Sequence, residues 1–246
     1  PLQQLRTTHQ TTLLGNVWHL GNPLLFVAVY YLIFGVIFEV NRGVDHFLLW
    51  LTMGVFAFQL TSKTVLGGAN AITNNTGLIR AIKFPRALLP VSVVISQLFS
   101  FGIEIALLIA MVLLGGVGFS RRWLLLPFVL VAHTALNLGG ALIAARLNDT
   151  FKDIQQILPF VFRLLMYLSG VMFPLELILS GLDGRPWLVA VFSLNPLARI
   201  IDLYRWVLLG TTVTGSYLLV AAAIPFLVLW FGFRYFKAVE WRYGRA

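Results

Sequence analysis

Several long runs without a formal charge decide what this chain can fold into. The clearest run is Trp123–Ala145, and Leu20–Phe38 is another. About 20 consecutive apolar residues are enough for an α-helix to cross the hydrocarbon core of a bilayer. The apolar–polar alternation over ten-residue blocks that is typical of a membrane β-barrel is absent from the sequence. The sequence therefore predicts an all-α integral membrane protein.

Composition supports this prediction. Of the 246 residues, 59% are hydrophobic and only 11% are charged, and the mean hydropathy is +0.88. Because soluble domains average about 25% charged residues, this chain lacks the polar surface that a protein needs in water. The net charge of +9 is typical of a membrane protein whose basic loops lie on the cytoplasmic side, and it does not indicate nucleic-acid binding. The chain begins at Pro1 without a methionine or a cleavable signal, which predicts that it is trimmed.

The apolar runs predict six transmembrane helices in a single transmembrane domain, residues 1–246. Residues 1–19 have mixed polarity and suit an interfacial helix with Trp18 at the headgroup level. The fifth run contains Pro159 and Arg163, which predict breaks in its helix. The predicted spans are Leu20–Phe38, Phe47 through Ser62 toward Thr73, Ala87–Val117, Trp123–Ala145, Ile154–Phe173 and Val213–Phe233.

The segment 174–212, between the fifth and sixth spans, is too apolar for a free loop and too often interrupted for a clean span. Within it, Ala198–Leu209 carries three charged residues at threefold spacing, which predicts one polar stripe on a helix. We expect a re-entrant or interfacial hairpin here rather than a seventh span. The residues that define this hairpin are Pro174, Pro196, Arg199, Asp202 and Arg205.

A short basic segment, 74–86, separates the second and third apolar runs. Gly77 and Pro85 limit the helix that can form in it. An amphipathic helix at this place either lies in the lipid headgroups or docks on a soluble partner. If Leu78–Phe84 is helical, one face consists of Leu78, Ile79 and Ile82 and the other of Arg80 and Lys83.

The distribution of lysine and arginine predicts the orientation. These residues are more frequent in the even-numbered loops and termini than on the opposite side. Because cytoplasmic loops carry the excess of positive charge, both termini are predicted to be cytoplasmic. The basic segment then faces the cytoplasm, and the hairpin faces outward.

The sequence offers few groups for catalysis or metal binding. It has no cysteine, which excludes disulfides, thiol catalysis and cysteine metal sites. The four histidines lack ligand spacing, so no metal site is predicted. No Gly-x-x-x-x-Gly-Lys-Ser/Thr motif is present, so the chain cannot use ATP alone by that route. For the charges in or near the spans, Lys63, Glu104 and Arg163, pairing or interhelical contact is favoured over an ion relay.

Three rival classes stay open at this point. A membrane-embedded glycosyltransferase or phosphatase requires an acidic cluster, for which only Asp149 with Asp153 is available. An ion-coupled transporter requires an intramembrane relay, and Glu104 is its only carboxylate candidate. A drug or small-lipid exporter is not separated from a glycan exporter by aromatic content. Aromatic faces stack on sugar rings, and the candidates for a substrate path are Tyr30, Phe34, Phe38, Tyr167 and Phe173.

Four segments carry a family resemblance. Leu78–Pro90 is similar to the pattern Ile-Arg-Lys-Ile-x-Phe-Pro-Arg…Leu-Pro, although Ala81 replaces a basic residue. Arg146–Asp153 is similar to an Arg-x-x-Asp-x-x-x-Asp loop, and Leu194–Gly210 to an Asn-Pro…Arg…Gly segment. The approach to the first span has Leu14, Gly15, Trp18, Asn22 and Pro23 in the family's order. In order and spacing, the chain resembles the permease subunit of an ATP-binding-cassette exporter of the ABC-2 type, in its polysaccharide branch.

The resemblance implies a transport subunit of the bacterial cytoplasmic membrane that is not an enzyme by itself. Two permeases pair, and two separate cytoplasmic ATPase subunits carry the ATP and Mg, so this chain needs no cofactor. The implied cargo is a lipid-linked glycan on polyprenyl diphosphate. The excess of Arg over Lys is compatible with an actinobacterial origin, so mycobacterial galactan export is the most specific expectation.

The resemblance also implies site residues. The basic segment acts as a coupling helix in a groove of the ATPase, and the outward hairpin of 174–212 acts as an external gate. Contacts to the headgroup and diphosphate of the cargo are expected from Arg6, Trp18 and Arg146. The expected ATPase contacts are Asn75, Leu78, Ile79, Arg80, Ile82, Lys83, Phe84, Pro85 and Arg86.

Overall fold

A computed structural model describes residues 17–38, 44–174, 186–213 and 215–240. These ranges contain helices and turns and no β-strand, so the predicted all-α class is confirmed for them. α1 continues as a π-helix, Tyr31–Ile37, and short 3-10 turns lie at Thr73–Asn75 and Arg121–Leu125. The helices are α1 (Val17–Tyr30), α2 (Phe47–Asn70), α3 (Thr76–Ala81), α4 (Leu88–Leu114), α5 (Leu126–Thr150), α6 (Ile154–Leu168), α7 (Pro186–Ser193), α8 (Pro196–Leu209) and α9 (Gly215–Lys237).

Three helical stretches in the described ranges are long and apolar enough to cross a membrane. They are Leu88–Leu114, Arg121–Thr150 and Val220–Lys237. Two shorter apolar helices, Gly21–Ile37 and Ile154–Leu168, accompany them. The predicted interfacial helix of residues 1–19 lies mostly outside the described residues, and α1 begins at Val17 within it.

Two helix ends differ from the sequence prediction. The polar loop expected from Arg146 begins only at Phe151, because α5 continues to Thr150. Its polar residues find partners inside the protein, since the side-chain amide of Asn148 donates to the Ala69 carbonyl of α2 at 2.8 Å. The expected fifth span to Phe173 is also wrong. α6 runs unbroken through Pro159 and Arg163 and ends at Leu168, before a turn in which Gly170 has a φ of 62°.

Helix α5 lies between α2 and α9 at the centre of the molecule. Glycines allow the backbones of these helices to approach closely. A β-carbon at Gly139 of α5 would lie 2.6 Å from the carbonyl carbon and oxygen of Val228 in α9. A β-carbon at Gly68 of α2 would lie 2.5 Å from the β-carbon of Ala141. The three helices therefore pack as one block.

The apolar core has two parts. The main cluster surrounds α2, whose residues are mostly buried, and includes residues of α4, α5 and α8. A smaller cluster forms where α3 meets the ends of α4, α5 and α9. Because this smaller cluster holds the basic segment against three long helices, it positions the candidate site. Its buried members are Ala71, Ile72, Ile79, Leu89, Leu142, Ala145 and Phe236.

Candidate functional site

The helix in the basic segment is shorter than expected. α3 spans Thr76–Ala81, and Gly77 lies inside it rather than ending α2. The condition of a helix over Leu78–Phe84 is not met, because Ile82 already has extended backbone angles, φ −137° and ψ 148°. Pro85 disfavours helical angles in the residue before it, Phe84, but the chain has already left the helix at Ile82.

The apolar residues of the basic segment do not share one face. Ile79 is buried in the smaller core cluster, and Phe84 is half-buried against the same cluster. Leu78 and Ile82 are 44% and 55% exposed. Consecutive helical residues point about 100° apart, and Ile82 lies outside the helix, so the predicted common face of Leu78, Ile79 and Ile82 is wrong. The segment uses two residues to attach itself to the protein and offers two others at the surface.

Hydrogen bonds fix both ends of the basic segment. The side-chain amide of Asn75 donates to the carbonyl of Ala71 at 2.8 Å, which closes the end of α2. The backbone N–H of Arg86 donates to Oε1 of Glu240 at 2.8 Å, and the guanidinium of Arg86 donates to the main-chain oxygen of Glu240. Arg80, Lys83 and Pro85 are exposed. The basic segment is therefore joined by hydrogen bonds to the residues that follow α9.

Arg146, the expected headgroup contact, is engaged inside the protein. Its guanidinium lies over the ring of Tyr235, 3.6 Å from the ring centroid, and donates to the Tyr235 carbonyl. This arrangement joins the end of α5 to α9. Arg6 lies outside the described residues, and Trp18 lies in α1, where its side chain is not described. Of these three residues, only Arg146 has a side chain within the described part of the chain.

The expected path aromatics are partly assembled. The ring of Phe34 lies 6.5 Å from that of Tyr30, 6.0 Å from that of Phe38 and 6.4 Å from that of Phe173. The hydroxyl of Tyr30 also contacts the sulfur of Met166 at 3.7 Å, which joins α1 to α6. Tyr167 is 51% exposed on α6. Four of the five expected residues thus form a row along one side of α1.

The polar stripe of α8 is present but faces the protein. Arg199 and Arg205 are each 3% exposed, and both pair with Asp202, at 2.9 and 3.7 Å. The Arg205 guanidinium also donates to the carbonyls of Trp50, Gly170 and Val171 and lies 3.3 Å from the Trp50 ring centroid. The two arginines of the stripe are buried because α8 is packed into the main core, and the re-entrant or interfacial placement of the hairpin stays a prediction.

The start of α8 is defined by its sequence. The side chain of Asn195 accepts hydrogen bonds from the backbone of Leu197 and Ala198, and Pro196 occupies the first turn. Gly210 ends the helix with a φ of 76°. Pro174 is described, but the remainder of the expected hairpin loop, 175–185, lies outside the described residues.

Sequence reasoning missed a buried polar network in the transmembrane region. Nε2 of His133 lies 2.8 Å from Oγ1 of Thr61, and its Nδ1 lies 3.2 Å from the Tyr204 hydroxyl. These three side chains join α2, α5 and α8, and all three are buried. The available signal was a histidine inside an otherwise uncharged run. The predicted pairing of intramembrane charges is confirmed for Lys63 and Glu104, whose charged groups lie 3.7 Å apart.

The long apolar helices, together with an attached basic segment at their ends, define a helical membrane protein. A family model described as "ABC-2 type transporter" matches residues 3–209. Because this match covers most of the chain, the protein belongs to the ABC-2 type transporter family.

Characterised relatives resemble the chain over most of its length. The O-antigen export system permease protein RfbA of Myxococcus xanthus is 27% identical over 93% of this chain and 86% of its own length. The protein of the same name from Klebsiella pneumoniae is 23% identical over 98% of this chain and 91% of its own. The polysialic acid transport protein KpsM of Escherichia coli is 24% identical over 83% of this chain and 77% of its own length.

Proposed function

We propose that this protein is the permease subunit of an ATP-driven polysaccharide exporter in the bacterial cytoplasmic membrane. The observation that carries the proposal is its similarity to O-antigen export permeases over 93–98% of the chain. The functional unit comprises two permeases with six spans each and two cytoplasmic ATPase subunits, which bind the ATP and Mg. Both termini face the cytoplasm. The cargo is a glycan on a polyprenyl diphosphate, with galactan as the first candidate.

Exposure indicates which part of the basic segment meets the ATPase. Leu78, Arg80 and Ile82 are exposed and form the docking surface. Ile79 and Phe84 attach this surface to the smaller core cluster, and Arg86 joins it to Glu240 at the end of α9. A displacement of the ATPase therefore reaches α4, α5 and α9 together. The two states of the transporter must differ in these contacts, because ATP binding alone drives no change without a differential interaction.

Reconstitution with the ATPase tests the proposal. A tagged permease is expected to co-purify the ATPase subunit, and proteoliposomes of the complex are expected to move a polyprenyl-diphosphate glycan only in the presence of hydrolysable ATP. Failure to recover any ATPase would favour the ion-coupled and enzyme alternatives. Movement of amphipathic drugs without movement of the glycan would assign the permease to a different cargo class.

A further inference from the structure

A basic pocket lies between the basic segment and the end of α9. Its volume is about 470 Å³, and its lining combines cations with an apolar wall. Three of the side chains that line the pocket are positively charged, and one, that of Glu240, is acidic. The charged residues of the lining are Lys83, Arg86, Lys237 and Glu240, and its apolar wall includes Ile82 and Phe84.

Glu240, the acid in this pocket, is hydrogen-bonded to Arg86. The Glu240 carboxylate accepts the backbone N–H of Arg86 at 2.8 Å, and the Arg86 guanidinium donates to the Glu240 main-chain oxygen. Lys83 and Lys237 are exposed and make no salt bridge with any residue in the described ranges. The pocket therefore presents two ammonium groups whose charge is not neutralised by the described part of the protein.

The pocket lies at the ends of two helices that are long and apolar enough to cross a membrane. Lys237 is the last residue of α9. Arg86 lies two residues before Leu88, where α4 begins. Leu88 and Phe233, on the membrane side of the two cations, are 53% and 42% exposed, and the Lys237 ammonium lies 5.3 Å from the Phe233 ring centroid. A ligand in this pocket can thus meet cations and lipid-facing apolar surface together.

We propose that this pocket binds the phosphate group of an anionic membrane lipid. The ammonium groups of Lys83 and Lys237 bind the phosphate oxygens through charge-assisted hydrogen bonds. The acyl chains extend past the exposed side chains of Leu88 and Phe233. Basic pockets between transmembrane helices on the cytoplasmic side bind such headgroups. The exposed apolar surface of Leu88 and Phe233 beside the cations favours a lipid over an acidic side chain of the ATPase, and the proposal does not depend on the transported cargo.

Lipid binding to the full-length permease tests this site. Native mass spectrometry in a neutral detergent measures binding of phosphatidylglycerol and of polyprenyl phosphate in separate titrations, with phosphatidylcholine as the neutral lipid. Inorganic phosphate is added in competition with phosphatidylglycerol. The double variant Lys83→Ala with Lys237→Ala is expected to bind phosphatidylglycerol about tenfold more weakly. The matched control is Lys152→Ala with Arg234→Ala, which removes two exposed cations that do not line the pocket, and it is expected to bind as the unmodified protein does.

The arms of this experiment separate the sources of the phosphate. Stronger binding of polyprenyl phosphate than of phosphatidylglycerol would assign the pocket to an isoprenoid lipid, and equal competition by inorganic phosphate would assign it to a free ion. Equal loss in the control pair, or equal binding of phosphatidylcholine, would overturn the proposal. So would release of the lipid when the ATPase subunit is added. The variant Lys83→Arg with Lys237→Arg keeps both charges and should keep binding, which excludes a folding defect as the cause of the loss.

Discussion

Arg205 shows how this protein holds a cation within its apolar interior. The guanidinium pairs with Asp202, donates to three main-chain carbonyls and covers the ring of Trp50. The carbonyls of Gly170 and Val171 belong to the turn after α6, and that of Trp50 belongs to α2. A single side chain therefore fixes α2, α8 and the turn after α6 relative to one another.

Replacement of Arg205 by methionine is expected to destabilise the protein strongly. Three buried carbonyls lose their donor, and each such loss costs about 1–3 kcal/mol. We expect the purified permease in detergent to unfold at a lower temperature, by an amount equivalent to a loss of about 3 kcal/mol in the free energy of unfolding. The control is Arg163→Met, because Arg163 also lies over a ring, that of Phe160, but is exposed. Its effect should stay within about 0.5 kcal/mol, and equal losses in both variants would contradict the structural role.

Sequence periodicity predicted the stripe of α8 but not its surroundings. A threefold spacing places Arg199, Asp202 and Arg205 on one side of a helix. It does not tell whether that side meets water or carbonyl groups of another helix, because the partners come from distant parts of the chain. The network of His133 was missed for the same reason. Its partners, Thr61 and Tyr204, are more than 70 positions away in sequence.

At the scale of the element, the basic segment divides its apolar residues between attachment and surface. Ile79 and Ile82 are close in sequence but differ in burial, at 8% and 55% exposed. The sequence predicted a short helix here and a stop at Pro85. It could not predict the early end at Ala81, because Pro85 restricts only the residue before it, Phe84. The same substitution at the two isoleucines therefore separates the two roles.

Ile82→Asp is expected to reduce ATPase co-purification and glycan transport at least tenfold without changing thermal stability, because its side chain lies at the surface. Ile79→Asp is expected to unfold the permease at a lower temperature, because an unpaired buried charge costs several kcal/mol. Both variants are compared by co-purification, transport in proteoliposomes and thermal unfolding. Wild-type transport in Ile82→Asp, with an intact complex, would show that the ATPase docks elsewhere.

The close contact between α5 and α9 leads to another prediction at this scale. Gly139→Ala places a methyl group 2.6 Å from backbone atoms of Val228, which cannot move aside as a side chain can. Overpacking of this kind costs about 1–3 kcal/mol. Gly102→Ala in α4 is the matched control, because nothing lies within 4 Å of a β-carbon there. The temperature of thermal unfolding should be lower in Gly139→Ala, and it should be unchanged or slightly higher in Gly102→Ala.

For the whole molecule, the positions of the long helices followed well from the sequence. Uncharged runs predicted α4, α5 and α9 to within a few residues, because burial in lipid requires length and low charge. The close packing of α5 against α2 and α9 could not be read from those runs, since the decisive residues, Gly68 and Gly139, look ordinary in an apolar sequence. The basic segment was recognised as a site, but its division into attached and exposed residues depends on the fold.

The proposed orientation can be measured directly because the chain has no cysteine. Arg121→Cys and Lys152→Cys introduce single thiols at exposed positions, on opposite sides of the membrane in the proposed topology. A membrane-impermeant maleimide is expected to label the first variant in intact cells and the second only after permeabilisation. The reverse pattern would place the basic segment outside the cytoplasm and remove its access to an ATPase.

The glycine contacts of α5 also limit where the protein can change shape. Backbones that touch cannot slide past each other without steric clash, so α2, α5 and α9 must move as one rigid body. The π-helix after α1 and helix α6 instead contact α2 through side chains, with Tyr31 against Phe47 and Phe162 against Phe58. Side chains can exchange rotamers, so hinge or shear motion is concentrated at these outer seams. Cross-links from α2 to α1 or α6 should therefore stop the cycle, whereas a cross-link between α5 and α9 should leave it intact.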